Sequence, residues 1–526
     1  MSEPKSSWQA VGWKLQLLVF ALCVAVVILR RPDSVLNPQL FAEDGIWYSE
    51  AYTRGWFHAL LRARSGYFQT IPRLAAALSL WVPLRSAPLV MNAVGIVCQV
   101  LPVNLLLSER LKSLGPLLLR ALLAAVYIFL PNTSEVHISV EEAQWHLALL
   151  ACLVVLSVVP VSVVAKILDI SVLAVAGLSG PFGILLLPEA IVLWWIRRER
   201  WRVVVASAVG VCAAVQLGAI VSSSLVMRPH VALGATPKLF LQILSGRVYL
   251  ATLRGEHAFS QSTHLLGLVA LAVLATGVVA YCFWKAPLEW KLFLSFCALV
   301  WIVSLRAPMV SRTTPQWQML RDTPGLRYFF LPTLAFAWAT IWCAVSDRPL
   351  WVRVPAAAIA LTMLTGITKD WRYRPYVDHH FGEYAQRFAS LAPGDGIAIP
   401  IEPDAWTLWL VKREAGCSDP PTGAVDLPLP QARLSRLERI VGWVAAPEEV
   451  HDIRIFVDRR FAQAAPRRFA RPDVDQIFPE SPVKYKGWDA MLDLSGIAAG
   501  PHEIEVRTAE DGCDVEIGAV PFVRGD

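Results

Sequence analysis

Glu43 and Asp44 stand side by side in the stretch LNPQLFAEDGIWYSEAY, residues 36–52, just after a long apolar run that closes on Arg30 and Arg31. Two adjacent carboxylates suit general-base chemistry: one takes the proton of an attacking hydroxyl while the other raises its pKa or helps hold a cation. Side chains adjacent on a helix point about 100° apart, so one acceptor hydroxyl meets only one of the pair. The plainer alternative is an interfacial amphipathic helix, IWYSEAYTRGWFHALL, started by Asp44 as a cap and carrying aromatics in the headgroup region. A base held at a helix start satisfies both readings.

Arginines supply the opposite charge. Residues 31–86 hold Arg54, Arg62, Arg64, Arg73 and Arg85, and Arg228, Lys238, Arg247 and Arg254 fall between Met227 and Thr263. RAPMVSRTTPQWQMLRDTPGLRYFFLP adds Arg306, Arg312, Arg321 and Arg327. Guanidinium groups grip phosphate oxygens two at a time, so the set suits a lipid with a phosphate headgroup. Otherwise these arginines snorkel to ordinary anionic lipid or pair with nearby acids. In SEVHISVEEAQWHL, residues 134–147, the side chains of Glu135, Glu142, Gln144, Trp145 and His146 could hydrogen-bond sugar hydroxyls and stack on a sugar ring. Trp145 is equally suited to anchor at a membrane interface.

The elements that must position these groups follow from composition. With 55% hydrophobic and 17% charged residues and a mean hydropathy of +0.48, the 526-residue chain lies outside the range of ordinary soluble proteins and reads as a polytopic membrane protein. Hydropathy gives about eleven spans, near 12–30, 87–108, 115–131, 144–161, 168–179, 182–197, 202–226, 263–284, 289–305, 328–346 and 350–367. The first lacks a small-residue cleavage site and is read as a retained helix. Every second loop is basic: Arg110 with Lys112, Lys166, the run Arg197 to Arg202, Lys285 with Lys291, and Arg348 with Arg353. This places the N-terminus in the cytoplasm and, with an odd number of spans, both FAEDG and the C-terminal tail outside it. The run YFQTIPRLAAALSLWVPL is taken as a juxtamembrane helix within a long external first loop, 31–86. SGPFG breaks an apolar stretch, and because irregular backbone at membrane depth survives only in protein or beside a cavity, it reads as cavity wall.

Five stretches, FAEDG, GYFQTIPRL (66–74), EEAQWHL (141–147), SGPFGILLLP (179–188) and RYFFLP (327–332), resemble in order and placement the GT-C superfamily of polyprenyl-phosphate-dependent membrane glycosyltransferases. The resemblance spans most of the membrane domain. It implies that an acid of the first external loop is catalytic, pointing to Asp44 with Glu43 as competitor. It implies an isoprenoid-phosphate sugar donor whose phosphate goes to Arg73 and Arg327, with Arg54 and Tyr328 beside them. The acceptor, an envelope or surface glycan or glycolipid, is expected to meet Glu142, Gln144, Trp145 and His146. No second acidic motif of the metal-binding kind has a clear spacing, so a divalent cation is an open cofactor. An activated lipid-linked sugar needs no nucleotide fold, and the chain has neither GxGxxG after a strand nor GxxxxGK followed by Ser or Thr.

Near Lys369 the apolar runs end. A linker, 369–391, leads into alternating segments such as IRIFVD and HEIEVRT between Pro, Gly and Asp turns, the pattern of a β-sandwich-like domain over 392–526. Trp406, Trp443 or Trp488 could bind glycan there, or simply brace the domain. His137 and His146 lack partners at metal-ligand spacing, and Asp378, His379 and His380 read as a solvated linker start. Seven of nine cysteines fall in spans; Cys417 and Cys513 could pair outside. The net charge of +6 reflects loop bias and carries no nucleic-acid reading. Two rivals stand beside the transferase: a lipid-linked saccharide transporter or flippase, against which no clear inverted repeat is found, and a catalytically silent glycan-binding scaffold. The setting implied is the bacterial cytoplasmic membrane with a periplasmic C-terminal domain.

Overall fold

The computed structural model describes residues 12–525 apart from 65, 224–230, 261–263, 312, 323–324, 405, 414–419 and 511–512. The chain forms two compact units. One comprises Met1–Pro38, Arg62–Ala75 and Leu89–Pro375; the other comprises Gln39–Leu61, Ala76–Pro88 and Tyr376–Asp526.

The first unit is helical. Seven helices are long and apolar enough to cross a membrane: Trp13–Arg30, Leu84–Leu107, Arg200–Ser222, Leu265–Lys285, Leu288–Arg306, Leu326–Val345 and Leu350–Lys369. The other four stretches read as spans are helices too, but Leu117–Ile128 has 12 residues, Ala143–Leu156 has 14, Val163–Gly177 has 15 and Phe182–Arg197 has 16. At a rise of 1.5 Å per residue these reach about 18–24 Å, short of a hydrocarbon core of about 30 Å. Hydropathy sees an apolar run and not the turn that ends it.

Burial sorts the helices. Ala143–Leu156 is buried along its whole length, and Leu326–Val345 is 78% buried, as expected of helices apolar on every face at the centre of a bundle. Trp338 Nε1 donates to Leu123 O at 3.0 Å and Trp290 Nε1 to Leu114 O at 2.9 Å, tying this core to its neighbours. Trp13–Arg30, Leu265–Lys285 and Leu350–Lys369 are 17% buried or less and present apolar surface outward. All seven described cysteines are unpaired; Cys417 and the side chain of Cys513 lie outside the described residues.

Buried arginines hold the helix ends. Arg30 is 1% exposed and donates to the carbonyls of Ile128 at 2.7 Å, Leu130 at 3.1 Å and Asp370 at 3.1 Å, as well as to the Tyr373 hydroxyl. Asp370 Oδ2 accepts from the backbone of Asn132 and of Glu256, each at 2.8 Å. An Arg30→Leu substitution strips three buried carbonyls of a charged donor, at about 1–3 kcal/mol for each left unsatisfied. The expected result is a marked fall in thermal midpoint of the detergent-purified chain; an unchanged midpoint would mean that the carbonyls find other donors.

The segment between Met227 and Thr263, read as an outer loop, is helical from Pro237 to Arg254, with a π-helical stretch Ile243–Leu250 and buried Ile243, Val248, Ala251 and Thr252. Arg247 and Gly246 interrupt its apolar run, which hid it from hydropathy. Gly246 lies so close to the Phe259 ring that a Cβ would stand 2.3 Å from it.

The second unit is β-rich. Strands Ala432–Leu434, Cys513–Arg524, Gly500–Glu510, Ile453–Val457 and Arg460–Ala464 form a five-stranded sheet in that order. Thr422–Leu427, Leu437–Ala445, Gly487–Asp493 and Arg467–Phe469 form a four-stranded one. Period-two alternation buries Ile453, Ile455 and Val457 of the first sheet, and they share a core with Ile440, Val444 and Trp488 of the second. Trp488 is fully buried, so of the three tryptophans offered for glycan binding it is a core residue. Trp443 packs on Phe478 at 5.4 Å. A separate hairpin, Gly396–Ile401 with Trp406–Val411, pairs antiparallel. The 369–391 stretch carries a helix, Phe381–Ser390, that buries Phe381, Ala385 and Phe388.

Candidate functional site

In the second unit the FAEDG stretch is built onto the hairpin. Phe41 bridges Glu402 in parallel, Glu402 N donates to Leu40 O at 3.1 Å, and Ala42 N donates to Glu402 O. Ala42 then turns through φ +46°, a left-handed conformation that an alanine adopts only when its surroundings hold it there. Helix Asp44–Arg54 begins at once. Gly45 packs closely on the hairpin: a Cβ there would lie 2.7 Å from Ile401 Cδ1 and 3.4 Å from Leu408 Cβ.

The two carboxylates part as the 100° rotation demands. Asp44 is 1% exposed, whereas Glu43, at the N-cap position, is half-buried and makes no side-chain cap bond. Asp44 N donates to Phe41 O at 2.9 Å while Phe41 N donates back to Asp44 Oδ2 at 3.1 Å, a reciprocal closure of the helix start. Among the described residues Asp44 Oδ1 has no hydrogen-bond partner. Burial pushes the Asp44 carboxyl up to about 7, against the Phe41 N–H that lowers it, and the charge of Glu43 raises it further. Arg54, at the far end of the helix, donates to Glu480 at 3.1 Å and lies over the Phe478 ring.

In the first unit Arg327 is the centre of a charged cluster. Its guanidinium pairs with Glu135 and, at 3.3 Å, with Glu142, and Nη2 donates to Met309 O at 3.3 Å. Glu135 Oε2 also accepts from the backbone N–H of Gly325 and of Arg327, each at 3.1 Å. Glu142 Oε2 accepts from Trp145 Nε1 at 2.8 Å. The Trp145 ring meets Phe182 edge-on at 4.9 Å and Tyr328 at 5.9 Å, and Arg327 lies over Tyr328. Tyr67, whose hydroxyl burial pushes up to about 12, feels the charges of Glu142 and Arg327. In GYFQTIPRL the only sequence signal for this tyrosine is its place just before the arginine-bearing helix Thr70–Ser79.

Other residues singled out in the sequence have structural partners. His146 is 2% exposed, with Nδ1 at 2.8 Å from the Tyr127 hydroxyl and Nε2 at 2.9 Å from Val136 O. Both ring nitrogens are used inside the protein, which removes it as a sugar contact in this conformation. Gln144 is 8% exposed, and its Nε2 donates to Glu141 O at 3.4 Å. Arg73 sits on helix Thr70–Ser79 with 1% exposure. Of the arginines read as facing a phosphate, Arg54, Arg321 and Arg327 each hold a carboxylate, and Arg228 and Arg312 lie outside the described residues.

The SGPFG break, read as cavity wall, is held by neighbouring residues. Gln216 Nε2 donates to Gly180 O at 3.0 Å and to Phe68 O at 3.1 Å, and Ile71 N donates to Ser179 Oγ at 3.0 Å. The freed backbone is satisfied inside protein, and the void beside Gly177, Phe182 and Gly183 is only about 10 Å³. Among the described residues no group of three or more His, Cys, Asp or Glu side chains is placed to hold a metal ion. His380 N donates to Asp378 Oδ1 at 2.8 Å, and His379 approaches Asp404 at 3.9 Å.

No known protein family matches the chain, and no curated protein matches it. One solved structure with a partial likeness is the endo-β-1,4-mannanase from Thermotoga petrophila, 11% identical with a TM-score of 0.16. The match spans 24% of this chain and 28% of that one, and carries no argument about fold or activity.

Proposed function

We propose that the protein is a membrane glycosyltransferase that moves a sugar from a polyprenyl-phosphate donor to an envelope glycan or glycolipid on the outer side of the bacterial cytoplasmic membrane. The single observation that carries the reading is Asp44: a buried carboxyl with Oδ1 unpartnered among the described residues and with its pKa raised to about 7. A general base works best when its pKa lies near the working pH, because it is then both available and strong enough to take the proton.

In this scheme Asp44 removes the proton of the acceptor hydroxyl as that oxygen attacks the anomeric carbon. The carbon–oxygen bond to phosphate breaks, and its electron pair leaves with the lipid phosphate. Burial keeps the Asp44 pKa high, and the charge of Glu43 adds to it. The resemblance gives the phosphate to Arg73 and Arg327. Glu142 pairs with Arg327 and accepts from Trp145 Nε1, and the Trp145 ring would offer the sugar an aromatic edge. The arrangement leaves a divalent cation unassigned to any described side chain.

The test is transfer by purified protein in lipid nanodiscs from a panel of polyprenyl-phosphate sugars to an envelope-glycan extract. Consumption of a donor, lost in Asp44→Asn with donor binding kept, is the expected outcome. No donor consumed by wild type across the panel would move the saccharide-transporter reading ahead.

A further inference from the structure

The second unit holds a cavity of about 510 Å³ that the transferase reading does not use, within the range of about 300–1,000 Å³ usual for small-ligand sites. Its inner wall is aromatic: Tyr48 and Tyr52 stack with centroids 6.3 Å apart and planes 8° from parallel, and Phe388 meets Tyr52 edge-on at 5.8 Å. Its rim is cationic. Arg413 donates through Nε to Tyr52 O at 2.8 Å and lies over the Tyr52 ring at 4.8 Å. Lys412 Nζ donates to Ala389 O at 3.1 Å and lies over Phe388 at 5.2 Å. Carbonyls and ring faces thus fix both cations without neutralising either. Arg85 completes the rim; it is exposed. Among the described lining residues none is acidic.

Three cations on a cavity with no acid among its described lining residues call for an anion. Its source is indicated by the chain that forms one wall. Leu80, Val82 and Pro83 line the cavity, while Leu78 and Trp81, interleaved with them, are 54% and 88% exposed. Trp56, Phe57 and Leu61 of the same unit are exposed by 52%, 53% and 60%. Exposed tryptophan beside apolar side chains, next to arginine and lysine, is the combination that seats a surface at the headgroup level of a bilayer. We propose that this cavity binds the phosphate headgroup of an anionic glycerophospholipid, with Arg85, Lys412 and Arg413 on the phosphate and Trp81 and Leu78 in the acyl boundary. This lipid seats the second unit on the membrane and is neither donor nor acceptor, so the proposal stands apart from the transferase reading.

Native mass spectrometry of the full chain, delipidated and then titrated with phosphatidylglycerol or phosphatidylcholine, tests it. Wild type is expected to retain one more equivalent of phosphatidylglycerol than the variant Arg85→Glu with Lys412→Glu, and no more phosphatidylcholine. Each lost cation should weaken that equivalent about fivefold. Arg433→Glu, an exposed cation outside the cavity, should leave retention unchanged, and Arg85→Glu alone should weaken retention while keeping the wild-type thermal midpoint, because Arg85 is exposed. Equal retention by wild type and double variant would overturn the site. Loss of the extra equivalent on adding glycerol 3-phosphate would overturn the lipid as its source. Its displacement by one equivalent of polyprenyl phosphate would overturn the separation from the donor.

Discussion

Asp44→Asn should cost about a hundredfold to ten-thousandfold in transfer rate while making the folded protein more stable above neutral pH. Both effects come from the burial of the wild-type carboxyl, which pushes its pKa up to about 7. The folded pKa lies above the unfolded one, so between them the folded chain binds more protons. The stability that protonated Asp44 contributes is therefore complete below about pH 4 and is lost as pH rises through about 7. A shift of this size corresponds to an ionisation cost on the order of 4 kcal/mol. Asn keeps an oxygen for the Phe41 N–H and never ionises, so it escapes that cost. Wild-type transfer should rise with pH through about 7 as the base form fills. The check is a pair of profiles, transfer rate and thermal midpoint, each from pH 5 to pH 9 for both proteins. A midpoint that falls in Asp44→Asn at every pH would assign the carboxylate to structure. Glu43→Gln should keep activity but move the rate profile to lower pH, since it removes a charge that raises the Asp44 pKa.

Arg327→Leu should be among the most destabilising single changes in the first unit, by about 3–5 kcal/mol. The substitution leaves Glu135 and Glu142 facing each other without a cation, and Glu142 is only 2% exposed. The loss is expected to shrink in the triple variant Arg327→Leu, Glu135→Gln, Glu142→Gln, because neutral amides carry no uncompensated charge. Thermal inactivation of the detergent-purified variants measures both. An Arg327→Leu midpoint equal to wild type, with only donor affinity lost, would make the arginine a ligand contact and not a structural one. Arg327→Lys should fall between the two, since an ammonium cannot bridge two carboxylates as a planar guanidinium does.

The structure redistributes the roles that residue type suggested. Glu135, Glu142, Trp145 and Arg327 do come together, but as partners of one another. His146 sits one residue from Trp145 and is fully occupied by Tyr127 and Val136. A histidine and a tryptophan next to each other in sequence carry no mark of which one keeps a free polar edge. The same holds for the FAEDG carboxylates: adjacency predicted that they diverge, yet the choice of Asp44 as the buried one rests on Gly45 packing against Ile401 and Leu408, residues more than 350 positions away.

The sequence alone determined that the chain has apolar helices and a β-rich C-terminal region. Those patterns are local: a run of apolar residues buries its own backbone polar groups only as a helix, and period-two alternation puts one face of a strand inward. It also offered FAEDG as a helix start with Asp44 as its cap; the helix is there, but Glu43 stands at the N-cap position and no side chain caps it. Tertiary structure decided how long each helix runs, since the turns ending Leu117–Ile128 and Ala143–Leu156 are set by what packs against them. It decided that Arg30 bonds Asp370 O across 340 positions and that Arg327 bonds Glu135 across 192. Pairings of buried charge depend on which side chains meet in a low-dielectric interior, and no local period in a sequence encodes that meeting.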